Sequence, residues 1–222
     1  MSWGSRQVAT LDNTIYTNRE YYTNLSKIII LVMTQKKSGV GKWKTISSKT
    51  VYQNPWIKVR EDKIIHPNGK EGIYGVVEIP PGIFVIAQNE QEEILLIKQM
   101  HYPTGLSSWE LPGGGLKPGH THEEQACEEL EEEALMTATS FLPLGKTQTQ
   151  PGITNQIDYY FLAKDLKHRT SNNLEEMQQE EGITSVRFFP LVQVDQMIID
   201  GSLNHAQSIT GYTLFKMQSR KI

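Results

Sequence analysis

A glycine-rich stretch, Gly113-Gly114-Gly115-Leu116-Lys117-Pro118-Gly119, runs almost directly into Glu128-Glu129-Leu130-Glu131-Glu132-Glu133. No other feature of the chain limits its fold as strongly. From His122 to about Met136, the apolar residues Ala126, Cys127, Leu130 and Ala134 fall within a ~100° stripe at 3.6 residues per turn, one buried face of a helix. Glu129, Glu132 and Glu133 share a second arc of ~100°, while Glu128 and Glu131 point elsewhere. Like charges at these spacings repel by a few tenths of a kcal/mol per pair. They also sit towards the helix C-terminus, where the macrodipole disfavours anions. Three convergent carboxylates are the hard oxygen ligands suited to Mg²⁺ or Mn²⁺. The glycines allow close backbone approach beside them. Taken singly, each feature has an ordinary explanation: a solvated acidic face, or a type II turn at Pro118-Gly119. Together they describe a metal–phosphate site.

The rest of the chain supplies strands around this unit. Trp56 to Ile65 and Ile73 to Ile79 are β-rich runs separated by Pro67-Asn68-Gly69, a hairpin signal. Ile83–Ala87 and Ile94–Lys98 follow, joined by a polar turn from Gln88 to Glu93, and then a short segment, Ser108–Leu111. Further strands are expected at Ser140–Lys146, Gln156–Ala163 and Thr184–Phe189. A final helical region runs from near Leu191 to Met217, with a break at Gly201-Ser202. Mixed strands with two or three helices predict one α/β domain, with helices on both sides of a mixed sheet. Residues 1–32 are rich in Asn, Thr, Ser and Tyr without sustained periodicity. They read as a loosely ordered N-terminal extension, with Met33 the natural beginning of the 33–222 domain; a short strand at Ile28–Val32 is the alternative.

The stretch from Trp109-Glu110-Leu111-Pro112-Gly113 through residues 114–136 resembles the Nudix box, with Gly114, Glu129, Leu130, Glu132, Glu133 and Met136 in the matching places and no gap. The resemblance extends from about Trp43 to Met217 and looks nearest to the ADP-ribose pyrophosphatase-like branch. Trp56, Gly72 to Glu78, Lys98-Gln99 and Pro151-Gly152 look like that branch's landmarks. It implies a Nudix-type α/β/α sandwich, from about residue 42 to 218, with a mixed sheet and an N-terminal β-hairpin region. Three positions depart from the box: His120 replaces a Glu, Glu128 an Arg, and Leu135 a Gly. In the family the missing Glu and Arg pair and brace the loop, so His120 and Glu128 carry the same brace with polarity exchanged, or are simple drift. Leucine resists the left-handed cap that glycine supplies, so a changed helix ending is expected at Leu135.

The resemblance further implies Mg²⁺, with Mn²⁺ as a substitute, held by Glu129 and Glu133. Glu132 is a further ligand or a supporting catalytic group, and the backbone oxygen of Gly113 completes the set. A general base is expected on the loop from Glu175 to Gly182: Glu181 first, Glu180 second. For any one of these residues a solvated polar loop is the plainer reading. Substrate contacts are expected from Trp56 or Tyr74 stacking on a base across a dimer interface, and from Gln99, His101, Gly114 and Pro151. Either aromatic could instead pack into the core. His101 stands where the branch carries a phosphate-binding Arg, and so lacks that residue's permanent, two-pronged charge.

Composition excludes several other classes. Lys plus Arg is 22 against 25 for Asp plus Glu, a net charge of −3, so no nucleic-acid or polybasic membrane surface is expected. No apolar run approaches the roughly 18 residues of a membrane span, and no export signal is evident. The single Cys127 forbids an internal disulfide or a cysteine-paired zinc site, and its place on the apolar stripe makes it a core residue. His120 and His122 have no third His or Cys ligand beside them for zinc. P-loop and serine-hydrolase motifs are absent. The expected protein is soluble and cytoplasmic. Its expected function is hydrolysis of the diphosphate in a nucleoside diphosphate linked to another moiety, such as ADP-ribose or another nucleotide sugar. The competing reading is a catalytically impaired Nudix domain that binds such a ligand as a sensor or regulatory module.

Overall fold

One strand carries the core. In the computed structural model, β4 (Gly82–Ala87) is buried at every residue, and alternate side chains leave it in opposite directions. Ile83, Val85 and Ala87 join Ala126, Leu130 and Ala134 of helix α1 (His122–Ala134). Phe84 and Ile86 join Val194 and Met197 of α2 (Leu191–Asp200), together with Tyr212 and Phe215 of α3 (Ala206–Ser219). Helices therefore cover both faces, as an α/β/α sandwich requires. A strand covered on both sides has no reason to alternate with polar residues, which is why Ile83–Ala87 is a continuous apolar run.

The structure describes residues 42–169, 178 and 181–219; the expected extension over 1–32 lies outside them. Two units are distinguished. The smaller takes in 42–44 and 64–72 of the described residues, and the larger the remainder. In the smaller, the Pro67-Asn68-Gly69 turn forms as expected: Gly69 has φ 84° and donates its N–H to the His66 carbonyl at 2.9 Å. The Trp43 ring lies 4.8 Å from that of His66.

The strands β1 (Lys44–Gln53), β2 (Lys58–Ile65) and β3 (Glu71–Glu78) form a three-stranded sheet in that order. In the larger unit, β4 lies between β7 (Gly113–Gly115) and β10 (Ile157–Lys164), with β9 (Ser140–Gln148) beyond. This sheet is mixed: β10 is parallel to β4 and antiparallel to β9, while β7 runs antiparallel to β4. A second sheet has the order β12-β5-β6, formed by Ile183–Phe189, Ile94–His101 and Leu106–Glu110. The short strands β8 (Met136–Thr137) and β11 (Lys167–His168) also pair.

Three expectations are corrected. Gly113–Gly115 is a strand paired with β4, where a Cβ on Gly113 would stand 2.3 Å from the Ile83 carbonyl oxygen. Cys127 is only half-buried, its Sγ 3.8 Å from Glu131 Oε1; Ala126, Leu130 and Ala134 make the buried stripe. Leu135 does take the left-handed cap, at φ 58° and ψ 27°, its N–H directed at the Leu130 and Glu131 carbonyls. That conformation costs a leucine roughly 1–2 kcal/mol. Its surroundings hold it there: the Leu135 carbonyl accepts from Arg169 N–H at 2.9 Å, and the next residue, Met136, is buried in β8. At the other end, Thr121 and Glu124 form a reciprocal capping box. The break between α2 and α3 falls at Gly201, whose φ of 80° ends α2.

Gly211 lets α3 approach the sheet closely. A Cβ there would stand 2.8 Å from a Tyr160 ring carbon and 2.9 Å from a Leu111 methyl, and both residues are almost fully buried. Helix propensity favours alanine by about 1 kcal/mol, but overpacking a core costs about 1–3 kcal/mol. Gly211→Ala is therefore expected to lower the urea midpoint despite its better propensity; an increase would show that α3 can shift outward freely.

Candidate functional site

The site is built where β7 passes beneath α1. The N–H of Gly113 donates to Glu133 Oε2 at 2.7 Å. A Cβ on Gly114 would lie 2.6 Å from Glu129 Oε1, so this position must be glycine for Glu129 to lie where it does. Gln125, one turn earlier on α1, donates from Nε2 to Glu129 Oε1 at 2.8 Å, and its own Oε1 accepts the Lys117 N–H at 2.8 Å. Loop, amide and carboxylate thus form one chain of hydrogen bonds. Gln125, Glu129 and Glu133 are all buried.

Burial of two carboxylates side by side has a large electrostatic consequence. Desolvation raises Glu129 to about 7, against the hydrogen bond from Gln125 and with the help of the Glu132 charge. Glu133 is raised well above the ordinary carboxylate value, first by desolvation and then by Glu129, with the Gly113 N–H acting in the opposite direction. Such a pair fits a divalent cation: its donors are hard oxygens near enough to feel each other's charge. Glu132 differs. It is half-buried, with both oxygens 3.3 Å from Lys117 Nζ.

Lys117 was not singled out from sequence, although it lies in the glycine-rich loop. It also stands 3.1 Å from Glu128 Oε1. Desolvation pulls its pKa down, but hydrogen bonds to Glu128 and Glu132 outweigh this and hold it above the usual lysine value. His120 Nε2 is 3.7 Å from Glu128 Oε2, too far for a hydrogen bond, and that oxygen has no hydrogen-bond partner.

Among the other expected site residues, Glu181 is exposed but near enough to raise both Glu129 and Glu133. Its carbonyl accepts from Gln99 Nε2 at 2.8 Å, so Gln99 holds the Glu181 backbone. Gln178 Nε2 donates to the Glu133 carbonyl at 2.8 Å. Glu180 lies outside the described residues. Tyr74 donates its hydroxyl to the Gly152 carbonyl at 2.6 Å, fixing the loop that carries the exposed Pro151. Trp56 is 73% exposed, so it is not a core aromatic. His101 is engaged with the buried Glu110: its Nε2 lies 3.0 Å from each carboxylate oxygen. Glu110 also meets His205 Nδ1 at 2.9 Å. Neither Glu110 nor His205 carried a functional signal in the sequence, because the three residues meet only in the fold.

Comparison with known proteins places this arrangement. Residues 78–210 match the NUDIX domain model. The chain belongs to the Nudix family. Residues 43–77 of this Nudix chain match the nucleoside diphosphate sugar hydrolase N-terminal domain. It is 31% identical over 123 residues to an ADP-ribose pyrophosphatase of Bacillus subtilis (strain 168), spanning 55% of this chain and 66% of that protein. With an ADP-ribose pyrophosphatase of Mycobacterium tuberculosis (strain ATCC 25618 / H37Rv) it shares 25% identity over 170 residues, 76% of this chain and 81% of that protein. A solved structure described as an ADP compounds hydrolase superposes with a TM-score of 0.71 at 18% identity, covering 83% of this chain and 98% of the other; it supports the fold.

The raised carboxylates predict a pH dependence for the metal-free protein. A folded pKa of about 7 for Glu129 lies above its ordinary value of 4.5. Its favourable contribution is complete below the unfolded pKa and disappears as pH rises through about 7, with Glu133 acting in the same direction. Chelator-treated protein should lose stability across that window by up to about 1.4 kcal/mol per pH unit per proton. Urea midpoints that stay flat there would show the pair ionised without cost.

Proposed function

We propose that this chain is a divalent-metal-dependent hydrolase of the diphosphate in a nucleoside diphosphate linked to another moiety, ADP-ribose or another nucleotide sugar, working as a cytoplasmic homodimer. The observation that carries this reading is the buried Glu129–Glu133 pair beneath Gly113 and Gly114. Mg²⁺, or Mn²⁺ in its place, would be held by Glu129 and Glu133, neutralising the diphosphate and lowering the pKa of the attacking water. The names of the two pyrophosphatase relatives and the match of residues 43–77 support a nucleotide-sugar substrate.

The chain's own residues supply the rest. Gly113 N–H and Gln125 orient the two carboxylates. Glu181, exposed at the mouth of the site, takes the proton of the attacking water, while Gln99 holds its backbone in place. Lys117 with Glu128 and Glu132 braces the loop, His120 adding a weaker contact to Glu128. The brace lost at the altered box positions is thus carried by a third residue, and Leu135 still ends the helix with a left-handed cap. Both facts favour an active enzyme over a sensor module. Residues 1–32 lie outside the catalytic domain in this reading. Trp56, exposed after β1, is the aromatic best placed to stack on a base, with Tyr74 holding the Pro151 loop.

Glu129→Gln and Glu133→Gln are each expected to reduce Mg²⁺-dependent hydrolysis of ADP-ribose by more than ~100-fold, as loss of a key electrostatic group does. The metal-free fold should be retained or slightly stabilised, because a repelling charge is removed. Full activity in both variants would refute the site; a wild type that binds ADP-ribose without turnover would leave the sensor reading. Exposed Ile46, Val51, Tyr52 and Ile73 on the β1–β3 sheet support the dimer. Light scattering at micromolar concentration should give twice the chain mass, and a monomer would remove the cross-subunit role of Trp56.

A further inference from the structure

We propose that His101, Glu110 and His205 form a second metal site, suited to a borderline divalent transition ion such as Zn²⁺ and distinct from the all-oxygen Glu129–Glu133 site. The three residues come from the end of β5, the end of β6 and the residue preceding α3. Their ligand atoms all lie within 4.8 Å of one another. Glu110 Oε2 is 3.0 Å from His101 Nε2 and 2.9 Å from His205 Nδ1. Donors bound at about 2.0–2.1 Å around one tetrahedral ion stand ~3.3 Å apart. Small side-chain shifts, opening the two short edges and closing the third, would bring all three to that spacing.

The donor set decides the class of ion. Two imidazole nitrogens and one carboxylate, with a remaining position for water or ligand, match borderline transition ions rather than Mg²⁺ or Ca²⁺. Charge points the same way. Glu110 is 2% exposed, and a buried carboxylate needs a compensating cation. Its ion pairs among the described residues are both to imidazoles and none is to a lysine or arginine. In the metal-free state His101 Nε2 hydrogen-bonds Glu110, while His205 Nδ1 hydrogen-bonds Ser208 Oγ and lies 2.9 Å from Glu110 Oε2; on binding, both nitrogens give lone pairs to the ion, and any proton they carry moves to the other ring nitrogen or leaves.

The site is also held in advance. Ser208, fully buried, accepts the Leu111 N–H on its Oγ at 2.9 Å and touches His205 Nδ1 at 2.9 Å. It thereby ties the end of β6 to the start of α3. The rings of His101 and His205 stack with centroids 5.5 Å apart. His101 is more than a third exposed and His205 partly so, leaving an entry path from solvent.

The proposal does not depend on the hydrolase reading, and its test separates the two. Full-length Glu129→Gln protein, in which the carboxylate site is impaired, is stripped with chelator, loaded with Zn²⁺ or Co²⁺ and passed through a desalting column. One Zn²⁺ per chain is expected to remain, and Co²⁺ should give the visible absorption of a nitrogen-containing site of low coordination number. His101→Gln and His205→Gln in the same background should weaken Zn²⁺ binding by more than ~10-fold. As a measurement free of folding defects, Zn²⁺ added to the Glu129→Gln chain should shift the imidazole resonances of two of the six histidines. No retained metal, retention unchanged in both histidine variants, or histidine spectra unmoved by Zn²⁺ would each overturn the second site.

Discussion

Two buried carboxylates that repel each other are the constraint around which this protein is arranged. Glu129 and Glu133 are carried by one face of α1, and among the described residues neither forms an ion pair with a lysine or arginine, although the Lys117 charge acts on Glu129. In the metal-free fold they are tolerated by holding protons and by accepting hydrogen bonds from Gln125 and Gly113. A backbone without side chains is needed close beneath them, Gly114 under Glu129 and Gly113 against Ile83 and Phe84 of β4. Strand β7 in turn needs a partner that fixes its distance from the helix, a role β4 fills through Gly82, Ile83 and Phe84.

The rigidity of β4 follows from apolar burial on both of its faces. Each fully buried aliphatic side chain contributes about 1.5–3 kcal/mol, and β4 places Ile83 and Val85 on one side and Ile86 on the other. Movement of α1 away from the site would therefore uncover Ala126, Leu130 and Ala134 at the same time. The electrostatic cost of the carboxylates is borne by packing elsewhere along the same helix. A capping box at Thr121 and a left-handed Leu135 fix the two ends, so the helix cannot relieve the repulsion by sliding.

Most of this was legible where local periodicity and covalent spacing decide the outcome. The helix from His122, the Pro67-Asn68-Gly69 turn, the run Ile83–Ala87 and the break at Gly201-Ser202 each depend on neighbours in sequence. The carboxylate arc was legible for the same reason, as i, i+3 and i, i+4 residues share a face. Thr121 and Glu124 show the capping-box spacing, a local signal of the same kind that marks the helix start. What could not be read depends on distant pairs. A glycine run has no intrinsic preference for strand; β7 exists because β4 lies beside it. Leu135 takes an unfavourable backbone because Arg169 and β8 hold it. The nearest cation to Glu128 is Lys117 rather than His120, a matter of which side chain the loop turns inward.

The two charge clusters also bear on each other. Glu110 lies three residues before Gly113, and its charge contributes to raising Glu133. Two imidazoles beside Glu110 therefore do more than satisfy that carboxylate: any positive charge they hold, as protons or as a bound ion, weakens one of the repulsions acting on Glu133. An arginine in place of His101 would supply that charge permanently. Histidine carries no such fixed charge, so a cation held beside Glu110 would bear on Glu133 through that carboxylate. His205 couples this electrostatics to architecture, because it stands at the start of α3 and meets the same Ser208 hydroxyl that accepts the Leu111 N–H. Helix α3 thus reaches the neighbourhood of Glu110 through one hydrogen-bonded serine and one imidazole.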